Sequence, residues 1–142
     1  MSIAEIQAEI IKEFEGIDDW DEKYTKIIKM GRELPEFPEE LKTDKNKLDG
    51  CQSQVWTNAE LKDGKILIKA DSDAMIVKGL IALVLKVYSG HEPSEILSSP
   101  PDFITKIGID NHLSPTRKNG LGAMLKQIQM YAVAFKALSS KM

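Results

Sequence analysis

Apolar residues recur every three or four positions through the first third of the chain, which is the spacing of helices that bury one face. The first stripe, Ile3 to Phe14, follows a Ser2–Glu5 pair that matches a capping box, and Gly16 ends it. A second stripe, Trp20 to Ile28, begins just after Asp18, which is suited to cap it. We predict two helices here and then an extended loop at "LPEFPEEL", because its two prolines disfavour helix.

Short stretches typical of β-strands begin after Lys45. They are "NKLD", "QVWTNAEL" and "KILIKA", and "KDGK" joins the last two, where Asp63-Gly64 suits a tight hairpin turn. We predict three strands in an antiparallel sheet. Cys51 would then lie at the tip between the first two strands, after Gly50, whose backbone is free to adopt angles that a side chain forbids.

Helical spacing returns after the strands. "AMIVKGLIALVLKVY" is apolar on nearly every side, so we predict a core helix that Ser72 or Asp73 caps and that runs to about Tyr88. It is shorter than the roughly 20 residues of a membrane span. A proline-bearing loop follows, with short helical turns at "SEIL" and "DFITKI". The apolar stripe from Leu121 to Leu138 predicts the last helix. The segment "LSPTRKNG" before it is either a shaped loop or the entry to that helix.

The separate blocks of strands and helices indicate an α+β fold, in which a small three-stranded antiparallel sheet packs against helices. With 142 residues, 42% of them hydrophobic, we expect one domain spanning 1–142. The net charge of −3 gives no general attraction to nucleic acid or to an anionic membrane, so neither is an expected partner.

The charge is unevenly distributed along the chain. Residues 1–50 carry 14 acids and 8 bases, and the remainder carries 8 acids and 11 bases. That asymmetry either orients a protein partner or reflects two ordinary solvated faces.

Cys51 is the only cysteine, so it cannot form an intramolecular disulfide. Together with an N-terminus that lacks a basic segment before an apolar one, this indicates a reduced, cytoplasmic protein. Free cysteines are most often buried and inert, but a loop-tip cysteine among polar residues favours a reactive thiol. Both interpretations are open at this point. The polar neighbours are Asp49, Gln52, Ser53 and Gln54.

The other chemistry-bearing residues limit what a reactive Cys51 would do. A hydrolytic cysteine needs a base, and neither His91 nor His112 lies in a motif that fixes it beside the thiol. One cysteine and two histidines do not readily build a metal or iron–sulfur site, so no metal is expected. A thiol that carries a group remains. The two arginines, Arg32 and Arg117, are either ordinary solvated charges or bidentate anchors for carboxylates.

Four blocks of the chain form a distinctive set: "MGRELPEFP" at 30–38, "GCQSQVW" at 50–56, "DSDAMIVKGLIALV" at 71–84 and "HLSPTRKNGL" at 112–121. In this order they resemble the SufE family, the sulfur acceptors that work with pyridoxal-phosphate cysteine desulfurases in iron–sulfur cluster assembly. The resemblance covers about Trp20 to Ala137. It implies an α+β fold similar to that of the cluster scaffold IscU.

The resemblance also implies a function. Cys51 matches the persulfide acceptor, and a chain with one cysteine is expected to be a carrier and not a cluster scaffold or an independent enzyme. Sulfur would come from a SufS-like cysteine desulfurase, which the chain stimulates, and would go to a SufBCD-like scaffold. Pyridoxal phosphate belongs to the desulfurase, and no cofactor of the chain's own is expected. The resemblance leaves a homodimer open.

Residue roles follow from the same resemblance. The Cys51 loop is expected to turn inward in the free protein and outward on docking, and Arg117 would contact the desulfurase. Asp73 would chiefly cap a helix. The rival hypothesis is a non-covalent adaptor in which Cys51 only packs. The residues that would support the loop are Gly50, Gln52, Ser53 and Gln54, and those that would bind a partner are Arg117, Asp73, His112 and Arg32.

Overall fold

A computed structural model describes residues 1–48 and 54–140 of the chain. This described part contains six α-helices, one two-stranded sheet and three short 3₁₀ turns. The predicted α+β class is confirmed. The helices are α1 (Ile3–Glu15), α2 (Trp20–Arg32), α3 (Met75–Tyr88), α4 (Pro93–Leu97), α5 (Asp102–Lys106) and α6 (Pro115–Ser140). The strands are β1 (Val55–Lys62) and β2 (Lys65–Ser72).

The first two helices begin at side-chain caps. The predicted capping box of α1 is confirmed, because the Glu5 N–H donates to Ser2 Oγ and the Ser2 N–H donates to the Glu5 carboxylate, both at 3.1 Å. The predicted cap of α2 is wrong by one residue, since Asp19 and not Asp18 accepts from the N–H of Asp21 at 3.0 Å. Two adjacent aspartates offer the same acceptor, and the sequence pattern does not distinguish them.

The loop after α2 is extended only in its first half. The chain has no regular structure from 35 to 38, and 3₁₀ turns then cover Glu39–Leu41 and Asp44–Asn46. Pro38, with φ at −58°, directly precedes the first turn. Its fixed φ suits the start of a helical turn, where its missing N–H leaves no bond unmade. The extended-loop prediction is therefore wrong beyond Pro38.

The sheet is a single antiparallel hairpin, paired from Val55–Ser72 to Lys62–Lys65. The predicted turn is confirmed, and Asp63 and Gly64 have φ values of 53° and 79°, the positive angles of a type I′ turn. The predicted third strand is wrong. Over its described residues, "NKLD" contributes one bridge, from Lys47 to Trp56. The 3₁₀ turn just before Lys47 bends the chain, so this segment is too short to form a ladder.

The predicted core helix is confirmed as α3, which is buried continuously over residues 79–85. Its predicted cap is wrong. The helix begins at Met75, and Ser72 Oγ instead accepts from the N–H of Ala74, one residue before the helix. Asp73 makes a different bond, to the segment that follows Cys51.

Two glycines let α2 and α3 meet backbone to backbone. A Cβ placed on Gly31 would lie 2.7 Å from the backbone nitrogen of Gly79, and one placed on Gly79 would collide with the carbonyl oxygen of Ile27. Since neither position has room for a side chain, the helices pack closer than ordinary side chains permit.

The C-terminal half follows the predicted order. The two short helical turns are confirmed as α4 and α5. "LSPTRKNG" forms the first turn of α6, because Ser114 Oγ accepts from the N–H of Arg117 at 3.3 Å in the manner of an N-cap. Among the described residues, no helix has the length and apolarity needed to cross a membrane.

Candidate functional site

Residues 49–53, here called the Cys51 loop, lie outside the described residues, and with them the predicted positions of Gly50, Cys51, Gln52 and Ser53. The residues on either side of the loop are described. The Leu48 N–H donates to the Val55 carbonyl at 2.8 Å, next to the bridge between Lys47 and Trp56. The two flanks of the loop therefore lie side by side at one end of the sheet.

Asp73 fixes the flank that follows the loop. The Gln54 N–H donates to Asp73 Oδ1 at 3.0 Å, and the Asp73 N–H donates to the Gln54 carbonyl at 3.3 Å. A backbone N–H bound to a carboxylate is a charge-assisted hydrogen bond. This pair of bonds, here called the Asp73 clamp, ties the loop flank to the residue two positions before α3. The structure thus brings together two of the predicted site residues, Gln54 and Asp73.

An ion-pair network lies beside the clamp. Asp71 Oδ2 lies 3.3 Å from Lys42 Nζ, and Asp71 Oδ1 lies 3.3 Å from Lys78 Nζ. Lys42 also pairs with Glu39 at 3.0 Å, and its ammonium lies over the Trp56 ring, 5.3 Å from the centroid. These five residues, the Asp71 network, join the loop after α2 to both strands and to α3.

The network favours the charged forms of Asp71 and Lys42. Burial alone would raise the pKa of the Asp71 carboxyl, but the Ser72 N–H and the ammonium groups of Lys42 and Lys78 together lower this pKa below its usual value. The hydrogen bond to Glu39 raises the pKa of Lys42 most, and the hydrogen bond to Asp71 raises it further. The Asp71 carboxylate and the Lys42 ammonium are therefore ionised at neutral pH.

The described contacts of His91 and His112 lie away from the flanks of the Cys51 loop, so they do not position either histidine as a base for Cys51. His91 is buried, and its carbonyl accepts from Ile66 at 2.9 Å, near the hairpin turn. Ile66 is six residues along β2 from Ser72, about 20 Å from the loop end of the sheet at the usual strand rise. The His112 ring stacks on Trp20 with 3.6 Å between centroids, at the start of α2.

The two arginines lie near opposite ends of α2. Arg32 is the last residue of α2, next to Gly31, which contacts the backbone of Lys78 and Gly79. Arg117 is exposed in the first turn of α6, and the chain before it is fastened to the other end of α2. There the Tyr24 hydroxyl donates to the His112 carbonyl at 2.6 Å. The two ends of α2 are separated by roughly 18 Å at the usual helix rise.

The Asp71 network was not predicted from the sequence. Trp56, Asp71 and Lys78 lie inside the blocks quoted above, and the register of a hairpin that turns at Asp63-Gly64 places Trp56 opposite Asp71. The Trp56–Asp71 pair could therefore have been predicted from the sequence, whereas no sequence pattern indicated that Lys42 would join it.

Within residues 1–48 and 54–140, no three histidine, cysteine, aspartate or glutamate residues are grouped to hold a metal ion.

Comparison with known proteins identifies relatives along most of the chain. A family model described as SufE, Fe-S metabolism associated domain, matches residues 8–132. An uncharacterized SufE-like protein of Rhizobium meliloti is 40% identical over 129 residues, which are 87% of this chain and 92% of that protein. One of Synechocystis is 40% identical over 91% of this chain and 81% of its own length.

Two further matches differ in length or in sequence. SufE-like protein 1, chloroplastic/mitochondrial, of Arabidopsis thaliana is 40% identical over 88% of this chain but only 34% of its own. The solution structure of a hypothetical protein from Thermus thermophilus superimposes with a TM-score of 0.76 and 21% identity, covering 94% of this chain and 96% of its own. This last likeness shows the fold alone.

Proposed function

Because the chain belongs to the SufE family, and so takes part in iron–sulfur metabolism with a cysteine desulfurase, we propose that Cys51 accepts a persulfide sulfur from that desulfurase. The sulfur then passes to a SufBCD-like scaffold, and the chain stimulates the desulfurase by removing it. The chain works as one domain, 1–142, in a reducing, cytoplasmic compartment. It contributes a thiol and no cofactor, since the pyridoxal phosphate is on the desulfurase.

The transfer moves one sulfur between two thiols. The Cys51 thiolate attacks the outer sulfur of the desulfurase persulfide, forming a new sulfur–sulfur bond. The bond between that outer sulfur and the desulfurase cysteine breaks, and the desulfurase cysteine leaves as a thiolate. Cys51 then carries the persulfide, and the proton lost from its thiol goes to the solvent. No external oxidant or reductant is needed, because the oxidation level of the transferred sulfur does not change.

The Asp73 clamp is the observation that carries this proposal. It holds the flank of the Cys51 loop through exposed hydrogen bonds, with Asp73 and Gln54 both accessible to solvent. Exposed hydrogen bonds contribute little net free energy, since water or a partner replaces them. The flank of the loop is thus attached to the segment before α3 by a contact that a docked desulfurase is able to open.

Docking involves two arginines, one on a further surface and one beside the loop. The exposed guanidinium of Arg117 is suited to bind a carboxylate of the desulfurase bidentately, as the motif match implies. Arg32 is exposed at the end of α2, and its neighbour Gly31 packs against the backbone of Lys78, a member of the Asp71 network, so Arg32 contributes to the same docking surface as the loop. His112 acts indirectly, because its ring on Trp20 fixes the start of α6 from which Arg117 projects.

Mass spectrometry tests the transfer directly. Incubating the chain with a SufS-type desulfurase and free cysteine should add about 32 Da, the mass of one sulfur, and peptide mapping should place it on Cys51. Cys51→Ser is the matched control, since it is nearly isosteric but serine cannot form a persulfide. It should keep the parent's Tm and gain no mass. A parent chain that stimulates the desulfurase without gaining sulfur would instead establish the adaptor, as would full stimulation by Cys51→Ser.

A further inference from the structure

The last helix carries a second apolar stripe on its solvent side. Met124, Ile128 and Ala132 point into the core and are 2% exposed or less. Met130 and Val133 are 55% and 58% exposed. With about 3.6 residues per turn, they share with Ala134 and Ala137 the side of the helix opposite the core. These four residues are here called the outer α6 face.

The orientation of this face is fixed by contacts on the other side of α6. The Tyr131 and Thr57 hydroxyl oxygens lie 2.8 Å apart, which ties the middle of α6 to β1. Thr57 is buried and Tyr131 half-buried, so rotating the helix would remove both the hydrogen bond and the packing of Ile128 and Ala132. The outer α6 face is therefore a stable feature of the fold.

Helix α6 carries no acidic residue of its own. The chain has a net charge of −3, yet Asp110 is its last acidic residue, and residues 111–142 contain five lysines and arginines. Lys126 is exposed one helical turn before Met130, on the same side of the helix. None of the ion pairs found within residues 1–48 and 54–140 involves Lys126.

We propose that the outer α6 face docks an acidic, amphipathic helix of a partner protein. The spacing of Met130, Val133, Ala134 and Ala137 is that of a heptad seam, which a second helix covers with its own apolar residues. Acidic residues beside the partner's seam pair with Lys126. The two alanines leave room for close approach of the helices. This inference goes beyond the sulfur transfer proposed above and does not depend on it.

The same observations disfavour two other occupants. In a symmetric pair with a second copy, the outer α6 face would meet the same face, whose helix has no acidic residue, so charge complementarity would be missing. A membrane-surface helix presents large apolar or aromatic side chains with many cations. Two of the four residues here are alanines, and the chain as a whole is acidic.

A designed peptide tests the surface. The probe is a fluorescein-labelled helix of about three heptads with leucine at a and d and glutamate at e and g, whose like charges keep it from pairing with itself. Titration with the full chain should raise its anisotropy to saturation with a Kd below about 100 µM, and added salt should weaken binding. Val133→Glu and Lys126→Glu should each weaken binding at least about tenfold. Lys62→Glu, the same charge change in the exposed hairpin, is the matched control and should bind as the parent does.

Several results would overturn the proposal. One is no saturation with the parent, and another is equal binding by Val133→Glu when circular dichroism shows the parent's fold. Sedimentation of the parent as a dimer that Val133→Glu converts to a monomer would assign the face to a second copy. Co-sedimentation with phosphatidylglycerol vesicles that Lys126→Glu abolishes would assign it to a membrane.

Discussion

The two ends of the sheet are held by different kinds of contact. At the hairpin end, the Asp63-Gly64 turn closes the strands through backbone geometry, and fully buried Ile66 donates its N–H to His91. At the loop end, the Asp73 clamp and the Asp71 network are polar and reach the surface. Buried backbone bonds open only when the fold opens, whereas surface polar contacts exchange with water or a partner at small net cost.

This difference separates stability from function within one small sheet. The hairpin end is expected to set how strongly the fold resists unfolding, and the loop end how readily Cys51 is presented to a partner. Substitutions at the hairpin end should therefore change stability and leave sulfur transfer intact. Substitutions at the loop end should change the presentation of Cys51 and change stability less.

Arg117 shows whether docking extends beyond the loop end. Arg117→Ala should weaken desulfurase binding by about tenfold and slow sulfur transfer, because a bidentate contact is lost. The Tm should stay unchanged, since no ion pair found among the described residues involves this guanidinium. Arg117→Lys should recover only a small part of the binding. Isothermal titration at low and high salt measures the effect, with Lys118→Ala as the neighbouring exposed control. If both Arg117 variants bind as the parent does at both salt concentrations, the docking role is wrong.

Asp73→Ala removes one side of the clamp and should free the loop flank. The loss of about 1 kcal/mol predicts roughly fivefold faster hydrogen exchange at the Gln54 N–H and faster alkylation of Cys51. Asp73→Asn keeps an acceptor oxygen without the charge, so it should lie between the parent and Asp73→Ala. Exchange measured by NMR and iodoacetamide labelling report the two effects. Unchanged Gln54 exchange in Asp73→Ala would show that the clamp does not hold this flank.

Gly64→Ala strains the hairpin end. An alanine at φ of 79° is disfavoured, so the free energy of unfolding should fall by about 1 kcal/mol. Sulfur acceptance per folded molecule should not change. Gly16→Ala is the matched control, because Gly16 has φ of −88° and open space around a Cβ, and it should be neutral or stabilising. Urea unfolding measures both, and a transfer defect in Gly64→Ala would contradict the separation of the two ends.

Asp71→Asn should have the smallest effect, and its size should depend on pH. The folded-state pKa of Asp71 is lowered, so its charge stabilises the fold above the unfolded value near 4, and this contribution disappears as pH falls through the folded value. The parent should therefore be more stable at pH 7 by less than about 1 kcal/mol. At a pH well below the folded-state pKa of Asp71, the two proteins should unfold alike. Asp44→Asn in an exposed turn is the control for charge removal, and a pH-independent difference would assign the effect of Asp71 to packing.

The features that the sequence predicted correctly depend on neighbours in the chain. The capping box of α1, the turn at Asp63-Gly64 and the apolar run of α3 all involve residues a few positions apart. The third strand failed because strand formation depends on a distant partner and on the direction in which the preceding turn sends the chain.

Contacts between residues distant in sequence also decide the candidate site, and the sequence did not predict them. An aspartate just before a helix serves equally as a helix cap or as an acceptor for a distant backbone N–H, and Asp73 takes the second role through Gln54, 19 residues away. The placement of Cys51 at a loop tip stays a prediction, since it lies outside the described residues. Lys42 reaches Asp71 from a loop whose path no local pattern specified.

The contact between Gly31 and Gly79 has a mechanical consequence. A side chain between two helices can rotate and absorb a displacement, but two backbones in direct contact cannot. When a partner displaces α2 at Arg32, one residue beyond that contact, we therefore expect α3 to move with it. The first turn of α3 directly follows the segment that contains Asp73. A displacement of α2 is therefore expected to move the start of α3, and with it Asp73 and the loop flank that Asp73 holds.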